Sequence, residues 1–243
     1  MMFDFATVLR QWPLLLTGTI TTLAMALIAT LFGLLLGIAC GWGRARGPAW
    51  LRFLVGAYVE LFRNTPYIVQ LFFIFFGLPA AGVQLSALTA SVASLILNLG
   101  AYSAEIVRAG IETTPRGQIE AAKSLALSRW QIFTRVVLPP SLSRVWPSLV
   151  SQVIIIMLGS AVCSQISAEE LSYSANLIAS RSFRNFESYI IAAAIYLLLA
   201  MAMRRFLNWL GPRFIFMTGR SCPRSSGASL SGVKKFARRI FNR

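Results

Sequence analysis

Hydrophobic positions in this chain run in long blocks, not in the alternation of strands or the single stripe of surface helices. Residues 11–43 carry no charge, and the apolar run at 14–40 is long enough to cross a hydrocarbon core of about 30 Å, which takes about 20 helical residues. A second uncharged stretch covers 64–104. It is too long for one helix, and Gly77, Pro79 and Gly82 punctuate it, so it predicts two spans joined by a short turn. The first of these starts near Phe53 and takes Glu60 and Arg63 into its first turns; the second covers about 86–111, with Glu105 and Arg108 near its end. An uncharged run at 145–168 and an apolar run at 189–210 predict two more, the last with Arg204 and Arg205 placed to snorkel to the interface. The pattern predicts an all-α polytopic membrane protein with five transmembrane helices.

Composition agrees with the pattern. Hydrophobic residues make up 56% of the chain and charged ones 13%, too few to clothe a globular domain in water. The chain has no His, which removes the commonest general base and the commonest metal ligand. Cys40, Cys163 and Cys222 lack the spacing of a metal site or a disulfide framework. Neither a catalytic residue nor a metal site is assigned. The start, MMFDFATVLR, offers Asp4 and a single Arg10 ahead of an apolar run too long for a signal peptide, so the first span is expected to be retained.

A net charge of +15 raises the question of nucleic acid, and the position of the charges answers it. Arg44, Arg46 and Arg52 mark the first loop, Arg116, Lys123, Arg129 and Arg135 the third, and Arg213, Arg220 and Arg224 the tail. Such segments stay cytoplasmic. The uncharged turn at 80–84, and the loop carrying Glu169, Glu170 and Glu187 against Arg181 and Arg184, then face outward. The N-terminus is expected outside and the C-terminus in the cytoplasm. The basic residues sit where insertion needs them, so membrane lipid and no nucleic acid is the implied partner.

The third loop has its own structure. Thr114 as N-cap and Pro115 at the first position open a short helix through IEAAKSLA. Ser128, with Gln131 three residues on, forms a capping box that opens a second helix, QIFTRVVL, running to Pro139 and Pro140. Glu120, Ala121 and Ala122 at the centre present small side chains that let another surface approach. The other reading is an amphipathic hairpin resting on the membrane.

Residues 120–140, EAAKSLALSRWQIFTRVVLPP, resemble the cytoplasmic EAA coupling loop of ABC importer permeases. Glu120, Ala121, Ala122, Leu138 and Pro139 match the pattern; Val136 replaces its Ile, and Ala126 stands where the family has a Gly that turns the chain between two helices. YVELFRNTPYIVQLFF at 58–73, GAYSAEIVRAGIETTPRGQIEAAKSL at 100–125 and the EEL near residue 170 narrow the likeness to permeases of polar amino acid uptake systems, the histidine, glutamine and arginine type. The resemblance covers about 14–215. It implies a bacterial inner-membrane subunit that pairs with a second permease copy or paralogue, receives solute from an extracytoplasmic binding protein, and docks ABC ATPase subunits on Glu120, Ala121, Ala122 and Ala126. No G-x-x-x-x-G-K-[ST] occurs in the chain, so ATP and Mg belong to the ATPase and no cofactor is expected in this subunit.

For the translocation path, the family's fourth span carries a stretch like L-K-D-T-S-L-x-S-x-I, and this chain reads MLGSAVCSQI at 157–166. Ser164 and Ile166 are kept and Ser160 replaces Thr, but Leu158 and Gly159 stand where the charged pair would be. Intramembrane polar residues are otherwise the default candidates. Gln152, Gly159 and Cys163 share one helical face, and Asn98, Tyr102 and Glu105 another; hydrogen bonding between neighbouring helices is the alternative role for Gln152 and Asn98. Arg63 with Asn64, Thr65 and Pro66 reads as a helix-end or kink motif. In the tail, a Ser/Gly-rich linker leads to VKKFARRIFNR, where Val233, Phe236, Ile240 and Phe241 line one face of a basic helix suited to the membrane surface, with contact to the ATPase as the alternative. An ion-gradient secondary transporter would need paired inverted repeats and mid-depth carboxylates that this chain lacks. A non-transporting scaffold would leave the EAA loop without a role.

Overall fold

The computed structural model describes residues 4–215; the basic tail at 216–243 lies outside the described residues. Every regular element among them is helical. A short helix, α1 (Phe5–Leu9), is capped by the Asp4 side chain, which accepts from the Thr7 N–H. It leads into α2 (Trp12–Arg46), whose 35 residues hold no charge before Arg44. Pro13 sits in the first turn of α2, where a missing N–H costs nothing. Gly47 and Pro48 end the helix, and a Cβ on Gly47 would collide with the Gly43 carbonyl.

The expected second span is broken. Helix α3 (Ala49–Arg63) and helix α4 (Tyr67–Ala80) meet at 112° across three residues. Pro66 has no N–H and disfavours helical backbone at Thr65, so the helix must stop there. In a bilayer the carbonyls this frees need partners. Local side chains supply them: Asn64 Nδ2 donates to the Glu60 carbonyl at 2.8 Å, Thr65 Oγ1 to Leu61 at 2.8 Å, and Gln70 Nε2 to Phe62 at 2.7 Å and to Thr65 at 2.9 Å. The kink motif is as the sequence suggests, but a single span beginning near Phe53 is corrected to an oblique helix followed by a short, steeply turned one.

After the turn at Gly82, whose φ is +84°, α5 (Ala87–Glu112) begins at the N-cap Ser86 and returns alongside α2. Gly33, Gly37 and Gly41 make the contact surface. A Cβ on the first would meet Leu99, on the second Ser103, and on the third the Ala104 carbonyl and Val107. Helices in lipid gain no hydrophobic drive from one another, so this backbone-close packing helps hold the pair together.

A short helix, α6 (Arg116–Ser124), comes next, and a long helix, α7 (Arg129–Ile166), follows it. The sequence predicts a loop helix ending at Pro139 and Pro140; instead α7 runs through them into the fourth span, widened to a π turn at Ile132–Val137 where those prolines disturb the ladder. It tightens to a 3-10 turn at Ser160–Ile166 and stops at Ser167, which is left-handed with φ 62°. Helix α8 (Leu171–Ser182) was not anticipated from the sequence. The last helix is α9 (Asn185–Ile215). Met25 and Ala29 of α2, Leu71 of α4, Leu95 and Leu99 of α5, Val153 and Met157 of α7 and Met203 of α9 share one core. Among the described residues four helices are each long and apolar enough to span, and the bent pair, counted as one span, brings the number to five.

Two acids assigned to the outward loop have structural duties. Glu170 is fully buried: it caps α8 by accepting from the Tyr173 N–H at 2.8 Å and takes the Tyr196 hydroxyl at 2.5 Å. Burial pushes its carboxyl up, while the Tyr196 hydroxyl and the helix N–H groups pull the other way. Glu187, also buried, accepts from the Asp4 N–H and pairs with Arg184 at 3.6 Å. Glu169 alone of the three stays exposed.

Candidate functional site

The loop at 113–140 is held to the bundle at both ends. Arg144 Nη1 donates to the Thr113 hydroxyl at 2.8 Å and to its carbonyl at 3.2 Å. Thr114 does not cap α6: its hydroxyl lies 3.3 Å from Ser141 Oγ, and Pro115 takes the N-cap position without a side-chain bond. The capping box at Ser128 and Gln131 forms as expected, the Gln131 N–H donating to Ser128 Oγ and the Ser128 N–H to Gln131 Oε1.

Between these ends, α6 closes in a Schellman motif. The Ala126 N–H donates to the Lys123 carbonyl at 2.9 Å and the Leu127 N–H to the Ala122 carbonyl at 3.3 Å. Ala126 takes the left-handed conformation that the closure demands, with φ 53°. A residue with a Cβ bears about 1 kcal/mol there that glycine would not. The chain therefore makes this tight turn with an alanine in the left-handed position.

Ala122 corrects the sequence reading. Its side chain is 4% exposed and joins Val107 and Ile111 of α5 with Ile132, Phe133 and Val137 of α7 in a second core. It faces the bundle, so it offers no surface to a partner. Glu120 and Ala121 are exposed beside it, Ala126 is exposed at the turn, and Leu138 and Pro139 are half-buried in α7. Two apolar side chains the sequence did not single out also face solvent, Leu125 at 75% and Trp130 at 63% exposure. Trp130 stands edge-on to Trp42 at 6.4 Å, and Phe133 lies 5.5 Å from the same indole, which ties the loop to the end of α2.

The candidate path residues divide. Asn98 donates its amide to Gln70 Oε1 at 2.8 Å, the Arg63 guanidinium lies over the Tyr102 ring at 5.7 Å, and Glu105 is held by Arg44 at 2.7 Å and by Arg108. All three bind one helix to another, and Ser160, fully buried, donates back to the Met157 carbonyl at 2.6 Å. Asn98, Glu105 and Ser160 thus each have a polar partner inside the subunit, and Tyr102 meets Arg63 through its ring. Cys163 is buried too, 3.3 Å from the Tyr67 hydroxyl. Gln152 and Gly159 remain half-buried, and open space surrounds the position of a Cβ on Gly159.

Comparison with known proteins places these features in context. Residues 33–216 match the family described as "Binding-protein-dependent transport system inner membrane component". The chain is 32% identical over 215 residues to the glutamine transport system permease protein GlnP of Escherichia coli strain K12, covering 88% of this chain and 98% of that one. A solved amino acid ABC transporter with histidines superposes with a TM-score of 0.78 at 34% identity, covering 88% of this chain and all of its counterpart. The methionine transporter MetNI shares the fold, with a TM-score of 0.67 at 23% identity over 85% of this chain and 97% of the other.

Proposed function

The chain belongs to the family of inner membrane components of binding-protein-dependent transport systems, and from that premise we propose how this permease subunit of an ABC amino acid importer couples and what it carries. Its solute is a polar amino acid of the glutamine type, delivered by an extracytoplasmic binding protein, and its ATPase docks on the exposed face of α6. A second permease, a copy or a paralogue, completes the path. The N-terminus lies outside and the coupling loop inside, as the Lys/Arg distribution supports.

The observation that carries this reading is the double character of α6. One side, Ala122, is fused to α5 and α7 through the core it shares with Ile111 and Phe133. The other side presents Glu120, Ala121 and, at the turn, Leu125. A push on the exposed side is carried into the spans by close-packed side chains that do not compress. ATP-driven closure of the ATPases therefore moves α5 and α7 as bodies, the kind of discrete rearrangement that switches access from one side of a membrane to the other. In the path itself, Gln152 and Gly159 face the solute, while Asn98, Tyr102, Glu105 and Ser160 fix the helices that frame it. The test is uptake of labelled glutamine into liposomes holding the permease and its ATPase, with binding protein outside and ATP inside. ATP-dependent uptake competed by unlabelled glutamine is expected; uptake driven by an ion gradient without ATP would overturn the reading.

A further inference from the structure

We propose that the cleft where α2, α3 and the end of α5 meet binds the headgroup of an anionic phospholipid, with Arg52 as the residue that takes its phosphate. Arg44, Ala49, Arg52, Phe53, Arg108 and Glu112 line this open cleft, setting three guanidinium groups against one carboxylate. Two of the three are fixed from behind. Glu105 accepts from Arg44 with Oε2 and from Arg108 with both oxygens, and Glu112 takes a further Arg108 N–H at 2.6 Å. Five donors on each guanidinium leave N–H groups over for the cleft. Arg52 is exposed and makes no ion pair among the described residues. The cleft thus has an excess of positive charge and one cation without a partner.

The apolar surroundings choose the source of the anion. Trp50, Phe53 and Leu54, on the same turns of α3 as Arg52, are 65%, 74% and 56% exposed. A soluble phosphate has no use for such a surface. A phospholipid does, because its acyl chains continue past the headgroup along it, and aromatic side chains with arginine are the pairing found at the headgroup level. The planar, weakly hydrated guanidinium suits a phosphodiester better than an ammonium would. The inference is independent of which amino acid is carried.

The test measures binding of phosphatidylglycerol and of phosphatidylcholine to the full chain, delipidated in a neutral detergent. Wild type is expected to prefer phosphatidylglycerol. Arg52→Ala is expected to weaken that lipid roughly fivefold, the effect of about 1 kcal/mol per surface arginine, and Arg52→Lys less; Arg204→Ala, an exposed arginine on α9, is expected to leave it unchanged. Equal loss in the Arg204 and Arg52 variants would show diffuse attraction only, and equal affinity for both lipids would remove the anionic site. Displacement of the lipid by millimolar inorganic phosphate would assign the cleft to a soluble anion. Each of those three results overturns the proposal. Monodisperse elution and unchanged helical content of the variants guard against misfolding as the cause of a loss.

Discussion

Asn98 of α5 donates its side-chain amide to Gln70 Oε1 of α4 at 2.8 Å, while the Gln70 amide nitrogen reaches back across the helix break to the Phe62 and Thr65 carbonyls. One buried side chain thereby closes the gap left by Pro66 and is itself held by the neighbouring span. Gln70→Leu keeps the bulk but leaves those carbonyls without a donor in an apolar setting. A loss of about 1–3 kcal/mol is expected, and uptake is expected to fall with it. Asn98→Ala, which removes one bond to the latch, is expected to cost less. Thermal unfolding of the purified chain in detergent, with uptake measured in parallel, checks the order.

The glycine contact between α2 and α5 makes a second prediction. A Cβ at Gly37 would press on Ser103 Cβ and the Ala104 backbone, whereas at Gly117 it would meet nothing within 4 Å. Gly37→Ala is expected to lower the thermal midpoint and Gly117→Ala to raise it slightly, since alanine is favoured over glycine in a helix by about 1 kcal/mol. Equal effects at the two positions would remove the close approach as the cause.

Ala126→Gly is expected to stabilise the loop between α6 and α7 by about 1 kcal/mol, because the left-handed conformation at φ 53° is free of steric cost only for glycine. Ala126→Val is expected to be worse than wild type. Limited proteolysis of the loop reads the difference locally, where a global unfolding measurement would dilute it.

Orientation is open to labelling. In a background without native cysteines, a cysteine at Gln84, exposed in the turn before α5, is expected to react with an impermeant thiol reagent from outside intact cells. One at Gly117 is expected to react only after permeabilisation. The reverse pattern would invert the topology.

Much of this was legible in the sequence, and the failures have physical reasons. The long apolar runs announced α2, α5 and α9 because little but a span tolerates them. Ser128 with Gln131 announced its capping box because that signal is local. Helix α8 escaped because LSYSANLIASRS is polar and follows two glutamates, so it reads as loop until Glu170 is seen buried as its cap. The bend at Pro66 was readable as a break but not as an angle, which Gln70 and its distant partner Asn98 decide. Gly33, Gly37 and Gly41, spaced by four, carry the signal of a close helix contact on one face of α2. Ala122 was misplaced because a small residue in a short helix looks the same from either side. Ile119, three residues before it and packed in the same core, was the periodic cue that it faces inward.

The central claim is that α6 is a two-faced coupler, and adjacent alanines test it most directly. Ala121 is exposed and Ala122 is buried against Ile111 and Phe133. On the proposed docking a carboxylate at the first lands in an interface, and at the second it lands in an apolar core, each at a cost of several kcal/mol. The decisive measurement is the ATPase that co-purifies per permease chain recovered from membranes. Ala121→Asp is expected to keep near-normal permease abundance and lose the ATPase; Ala122→Asp is expected to lose the permease itself. If Ala121→Asp retains full ATPase association while abundance is normal, the exposed face of α6 is not where the ATPase docks, and the account fails.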